Sequence, residues 1–262
     1  MKKMNNLKDS FEGPVLDAIK ITAPSLESKP EYPFTLPIIQ NFKKIRFSSQ
    51  VTFFVGENGT GKSTFLEAVA HHVGLGPEGG SKNISFKTSI DQVYSGVQKF
   101  ADTMTLSWRQ KPKDAYFFRA ESFHNVANFI DMLERECGGN AYKAYGGKSL
   151  HSQSHGESFF SFFKHRMGKG GFFVLDEPEA ALSPLRQLAL LSIIKDLCKH
   201  SNTQFIIATH SPILLAYPHA KIYSFDGNAL EKISYTETQP YQITKEFLAD
   251  PSRYFKNLFE EE

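Results

Sequence analysis

Cysteine is almost missing from this sequence. Its 262 residues hold two, Cys137 and Cys198, far apart and in no C-x-x-C pair. That argues against a disulfide framework and against a thiolate zinc site, and the expectation is a reduced, cytoplasmic chain. Long apolar runs are missing too. None approaches the roughly 18 residues that a membrane-spanning helix needs, so no transmembrane segment is expected. The opening "MKKMNNLKDSFEG" has lysines but no apolar run after them, so it does not read as a secretory signal. An excess of one charge is absent as well. The formal net charge is +2, too small to argue for nucleic acid or an anionic membrane. The nine histidines form no H-x-x-H or H-E-x-x-H pair, so no zinc site is expected. No internal repeat is visible, and no heptad stretch is long enough for a coiled coil.

What remains is an ordinary soluble composition, 40% hydrophobic and 22% charged, with 24 phenylalanines that suit a large core. The length admits one large domain or two small ones. Short apolar runs at 51–55 ("VTFFV"), 172–175 ("FFVL") and 204–209 ("QFIIAT") read as buried strands. Amphipathic helices are expected from Ser63 to Val73, over 121–136, after Ser154, from Pro184 and over 242–260. Ser183-Pro184 reads as an N-cap with proline at the first helical position. Leu185, Leu188, Leu191, Ile194 and Leu197 are the expected inward face of the helix that follows. In the helix after Ser154, Phe159, Phe162, Phe163 and Met167 are expected in the core. "MTLSW" at 104–108 and "AYFF" at 115–118 read as strands joined by the turn "RQKPKD", and 221–235 as a hairpin turning at Asp226-Gly227-Asn228. Strands alternating with helices imply a mostly parallel sheet covered on both faces.

Chemistry concentrates in three places. "GENGTGKST" runs from Gly56 through Glu57, Asn58, Gly59, Thr60, Gly61, Lys62 and Ser63 to Thr64, and satisfies G-x-x-x-x-G-K-[ST] between a buried strand and a helix. Its glycines let backbone N–H groups turn inward as an anion cradle, reinforced by the helix dipole. Lys62 can reach the outer phosphates of a nucleotide, and the Ser63 hydroxyl can ligate Mg²⁺. "FFVLDEPEAALSP" then places Asp176 and Glu177 at the end of a strand, where open parallel sheets collect ligands. Asp176 suits Mg²⁺, and Glu177 suits orienting and deprotonating a water. Glu179 reads as an acid capping the next helix. His210 follows a third strand, placed to bond a γ-phosphate or the attacking water; a solvated strand-end histidine has the same pattern.

Taken in order, "GENGTGKST", "QSHGES", "FFVLDEPEAALSP" and "ATHSP" resemble the Walker A, signature, Walker B with D-loop, and H-loop of an ABC-type ATPase. Ser154 precedes Asp176 by 22 residues and His210 follows Glu177 by 33, both near the family's spacing. The resemblance covers about 30 to 235 and is strongest to the soluble SMC- and RecF-like branch and its stand-alone ATPases. It implies an α/β P-loop NTPase fold: an ABC-ATPase head with a mostly parallel central sheet flanked by helices, an antiparallel β part and a small helical lobe. It implies one domain over 1–262, the lobe spanning roughly 119–165. It also implies binding and hydrolysis of ATP with Mg²⁺, and an ATP-dependent head-to-tail homodimer in which Ser154, Gly156 and Glu157 meet the γ-phosphate held by the other subunit. Ser154-x-x-Glu157 is at the same time a capping box.

The sequence departs from the family at several points. The signature lacks the usual leucine and first glycine, reading Gln153-Ser154-His155-Gly156-Glu157. Ser183 replaces the D-loop aspartate. The Q-loop glutamine falls at Arg119, with Glu121 as a second candidate; an arginine would touch phosphate rather than Mg²⁺. An adenine-stacking aromatic is expected upstream of Lys62, at Tyr32, Phe34 or Phe42. These departures count against a transporter's nucleotide-binding subunit. They leave a soluble ATPase acting on an unidentified protein or nucleic-acid partner, or a regulatory ATPase in defence, repair or toxin control.

Overall fold

The computed structural model describes residues 13–22, 31–76, 79–81, 91–136, 139, 141–152 and 155–259. In chain order the first elements are β1 (Leu16–Ile21), α1 (Pro37–Asn41), β2 (Lys44–Arg46), β3 (Val51–Val55), α2 (Lys62–Val73), β4 (Gly80–Ser81), α3 (Asp91–Asp102) and β5 (Met104–Trp108). There follow β6 (Asp114–Arg119), α4 (Phe123–Glu136), α5 (His155–Arg166), β7 (Gly171–Asp176), α6 (Pro184–Cys198) and β8 (Gln204–Ala208). The chain continues through α7 (Pro212–Leu215), β9 (Lys221–Ser224), β10 (Glu231–Ile233), α8 (Gln239–Ala249) and α9 (Pro251–Phe259).

The strands form a seven-stranded sheet, β10-β9-β3-β8-β7-β6-β4, and a three-stranded antiparallel sheet, β2-β1-β5. In the large sheet β9, β3, β8, β7 and β6 run parallel, with antiparallel β10 and β4 at the edges. β3, β7 and β8 are buried along their whole length, as expected of central strands covered on both faces.

The paired phenylalanines of the strands serve both faces at once. Successive strand side chains point oppositely. Phe54, Phe117 and Phe172 therefore enter the core shared with α2, α3 and the small sheet. Their neighbours Phe53, Phe118 and Phe173 enter the core under α4, α5 and α6. On α5 the helical period sends Phe159, Phe162 and Phe163, with Met167 just beyond, into the second core alone.

Four sequence expectations change. β5 and β6 are strands but not a hairpin, because β5 belongs to the small sheet and β6 to the large one. The stretch between them carries the chain from one sheet to the other. Residues 91–102, to which the sequence patterning assigned no element, form α3. The expected C-terminal helix is two helices, divided at Asp250-Pro251, where proline disfavours helical backbone at the residue before it. The inward face of α6 is rotated: Leu185 and Leu188 are 76% and 53% exposed, while Gln187, Leu190 and Ile194 are buried. The Gln187 amide is satisfied where it lies, donating to Leu182 O at 2.9 Å and accepting from Ser211 Oγ at 2.5 Å, so a polar side chain takes the inward position. Ser183 holds the N-cap position of α6, but its side chain makes no capping hydrogen bond. Among the described residues no helix is long and apolar enough to cross a membrane.

Candidate functional site

The loop from Gly56 to Gly61 joins β3 to α2. Gly56 and Gly61 both have positive φ, +146° and +99°. A Cβ at Gly61 would stand 2.7 Å from Leu36 Cδ1, and one at Gly56 3.0 Å from Asp226 Oδ1 and Phe225 Cβ. Glycine is therefore demanded by backbone shape at both positions, with crowding added at Gly56. Lys62 opens α2 and is only 4% exposed. Its Nζ arches back over the loop, donating to Gly56 O at 2.5 Å and Glu57 O at 2.8 Å. Burial lowers its pKa, against the carboxylates of Glu177, Asp176, Asp226 and Glu57. Thr60 Oγ1 donates to Glu57 O at 2.8 Å. Thr64, buried one residue past Ser63, is hydrogen-bonded to the Tyr32 hydroxyl.

β7 and β8 deliver their ends beside this loop. Asp176 is 3% exposed and accepts from Ser63 Oγ at 3.2 Å. Glu177 is the next residue, in the left-handed region at φ 48°, with its N–H bonded to Ala208 O at 3.0 Å. His210 Nε2 lies 3.7 Å from Glu177 Oε1. Burial lowers the His210 pKa, and Lys62 pushes the same way. A neutral imidazole beside a half-exposed carboxylate suits hydrogen bonding to an incoming polar group. Ser63 and Asp176 together present hard oxygen donors, the chemistry Mg²⁺ takes.

Arg119 ends β6 in register opposite Asp176. Its guanidinium bonds Glu67 at 2.5 Å and Glu121 at 3.3 Å, and Nε stands 3.9 Å from Asp176 Oδ2. Arg119 thus lines the cleft as a cation, where a glutamine amide would be neutral.

Burial pushes the Asp176 carboxyl up to about 7; Arg119 and the Ser63 hydroxyl oppose the rise, while Glu177 and Glu67 add to it. With the folded-state value above the unfolded 3.8, this group's stabilisation is complete below about pH 4 and lost as pH rises towards 7. In nucleotide-free protein at pH 8, Asp176→Asn should raise Tm by about 2 °C or more. The gap between the two proteins should narrow by pH 5 and close below about pH 4. A scanning-fluorimetry series in which Asn gives no gain at pH 8 would contradict the assignment.

A cleft of about 290 Å³ collects Tyr32, Asn58, Gly59, Gly61, Lys62, Ser63, Thr64, Glu67, Arg119 and Glu177. Of the three aromatics considered for adenine, only Tyr32 lines it. Phe34 packs edge-on against Phe100 at 5.9 Å, and Phe42 against Phe65 at 5.3 Å. Gly156 and Glu157 lie at the start of α5 and do not line this cleft. Gln153 and Ser154 fall outside the described residues.

Three further acids matter that sequence reading did not assign here. Asp226, within the expected turn, accepts the Glu57 N–H at 2.6 Å and buttresses the loop. Glu67, one helical turn after Ser63, holds Arg119. Glu179 accepts the His210 N–H at 2.6 Å. The i, i+4 spacing from Ser63 is a signal that could have pointed to Glu67; the other two are brought close by non-local folding.

A parallel sheet with a phosphate loop after β3, an acidic pair after β7 and a histidine after β8 has the architecture of a P-loop nucleotide-binding fold. Two family models match the chain. "AAA domain" matches residues 35–128, and "AAA domain, putative AbiEii toxin, Type IV TA system" matches 159–216. A curated relative, Septu protein PtuA of Bacillus thuringiensis, is 25% identical over 146 residues. That stretch is 48% of this chain and 35% of the relative, so the chain spans about a third of that protein's length. Solved structures of similar fold include CbiO1 from Clostridium perfringens, part of the ABC transporter complex CbiONQ (17% identity, 95% of this chain and 100% of that one, TM-score 0.48). An ATP-binding cassette of an ABC transporter in its ADP conformation has 15% identity over 94% and 99% of the two chains, with a TM-score of 0.49. The SMC head domain from Thermotoga maritima has 16% identity over 84% and 98%, with a TM-score of 0.39.

Proposed function

We propose that the chain is a cytoplasmic MgATP-hydrolysing ATPase, one domain over 1–262, that closes head to tail into a homodimer with two ATP molecules between the subunits. The observation that carries this reading is the meeting of Lys62, Ser63, Asp176, Glu177 and His210 at the ends of three neighbouring parallel strands. Lys62 and the amides of 56–64 hold the phosphates. Ser63 and Asp176 hold Mg²⁺, which when bound neutralises charge on the outer phosphates. Glu177 orients a water and takes its proton, and His210 bonds the γ-phosphate from the neutral imidazole. Arg119 adds a positive charge beside the phosphates, and Tyr32 stacks on adenine. Gly156 and Glu157, with Ser154 of the same motif, complete the other subunit's site; that Gly156 and Glu157 do not line their own cleft supports a role in trans.

A second reading is a regulatory ATPase in which ATP gates binding of a protein or nucleic-acid partner and turnover is incidental. It draws support from Ser183 in the D-loop, the incomplete signature, and the toxin–antitoxin description of the family matched over 159–216. Steady-state phosphate release separates the two readings. The first expects slow basal turnover that rises by about tenfold or more on adding DNA, RNA or cell lysate. Turnover that stays flat, while a partner is captured only with ATP, supports the regulatory reading.

A further inference from the structure

β8 runs out at Ala208, and its hydrogen-bond ladder runs out soon after. The Thr209 N–H still reaches Phe54 O at 3.2 Å. The next N–H, that of His210, instead donates to Glu179 Oε1 at 2.6 Å. Glu179 belongs to the 3-10 turn Pro178–Ala181 that follows Glu177, so it comes from the segment carrying the acidic pair. Its other carboxylate oxygen is buried with no partner among the described residues. Burial raises its pKa; the hydrogen bonds it accepts, that of the His210 N–H among them, oppose the rise, and Glu177 adds to it.

A largely buried carboxylate beside another carboxylate is a poor way to gain stability. An apolar side chain of similar volume would fill the space at lower cost. What the acid does provide is a strong acceptor for a half-buried backbone donor that the sheet no longer satisfies. That donor belongs to His210, whose ring faces Glu177 at 3.7 Å. A second strut holds the same turn. Ser211 Oγ caps α7 and donates to Gln187 Oε1 at 2.5 Å, while Gln187 Nε2 donates to Leu182 O at 2.9 Å.

We infer that Glu179 is a positioning residue for His210, fixing the backbone that aims the imidazole at Glu177 and the phosphate loop. With the Gln187–Ser211 strut it fastens the histidine turn to the segment ending at Leu182, beside Ser183. Displacement of that segment by a neighbouring subunit then moves His210 directly, without the D-loop aspartate that this chain lacks. The inference rests on the ATPase reading, and its tests separate the two.

Glu179→Ala should lower kcat by about tenfold or more while the KM for ATP stays within about threefold. Glu179→Gln keeps an acceptor oxygen in place and should recover to within about threefold of wild type. In a His210→Ala background, Glu179→Ala should cost less than about twofold more, because both changes disable one device. Full activity of Glu179→Ala, or losses that multiply in the double variant, would overturn the positioning role. The same contact can be read without turnover, by amide hydrogen exchange over 204–216 in nucleotide-free protein. Glu179→Ala should speed exchange at His210 by about tenfold or more, with Glu179→Gln near wild type. Should the alanine variant not fold, Glu179→Asp, one methylene short, must show the same faster exchange. Unchanged exchange in the folded variant overturns the inference even in a chain that hydrolyses ATP. A wild-type chain that hydrolyses none sinks the ATPase reading, whichever way the exchange falls.

Discussion

Glu177→Gln should bind MgATP nearly as well as the wild type, lose turnover by about 10²- to 10⁴-fold, and elute as a dimer on gel filtration in saturating MgATP. Glutamine has the shape of glutamate but cannot accept the proton of an attacking water. The backbone that aims residue 177 into the cleft is left-handed, a conformation costing roughly 1–3 kcal/mol for a non-glycine residue. It is held by the Glu177 N–H on Ala208 O at 3.0 Å, which the substitution leaves untouched. Geometry at the site should therefore survive while proton transfer does not. The ATP-bound closed state, no longer drained by hydrolysis, should accumulate. Retained turnover would remove Glu177 from the role of base. A variant that stays monomeric in saturating MgATP would remove the head-to-tail reading of Gly156 and Glu157.

Lys62→Ala should abolish ATP binding, with Kd raised by about 100-fold or more, near 3 kcal/mol. The ammonium is the cation within the loop itself, nearly fully buried and facing Glu177, Asp176, Asp226 and Glu57. Without it, a polyanionic ligand would meet four acids with only the loop amides, the helix dipole and the tethered Arg119 to offset them. The fold should persist, because the hydrogen bonds lost are two loop-carbonyl contacts. Titration calorimetry on variant and wild type, with circular dichroism as the check on folding, measures this. Binding within about threefold of wild type would show that the loop is not the phosphate site.

Legibility from sequence followed how local each signal was. The strand–loop–helix around Lys62 could be read because its glycines, lysine and serine are contiguous and each has a local physical reason. The phenylalanine pairs announced buried strands, although their service to two separate cores emerges only when the sheet is covered on both faces. α6 was misread at Leu185 and Leu188, because apolar spacing alone does not show which stripe meets the body. A buried Gln187 with two partners decided it. Met104–Trp108 and Asp114–Arg119 were rightly strands, but strand type carries no information about which sheet takes them. Arg119 was placed by counting from a strand, and its lateral partner Asp176 came from a different strand in register.

By itself, then, the sequence determined the chemistry that local order can encode: a phosphate loop, an acidic pair at a strand end, a histidine at another, and alternating strands and helices. Tertiary structure decided everything that depends on residues far apart in the chain. It set Asp226 under the loop, Glu67 against Arg119 and Tyr32 at the cleft. It also turned Glu179 from an apparent helix cap into the acceptor for the His210 amide, since a backbone donor left over at the end of a strand takes its partner from whatever segment folding brings beside it.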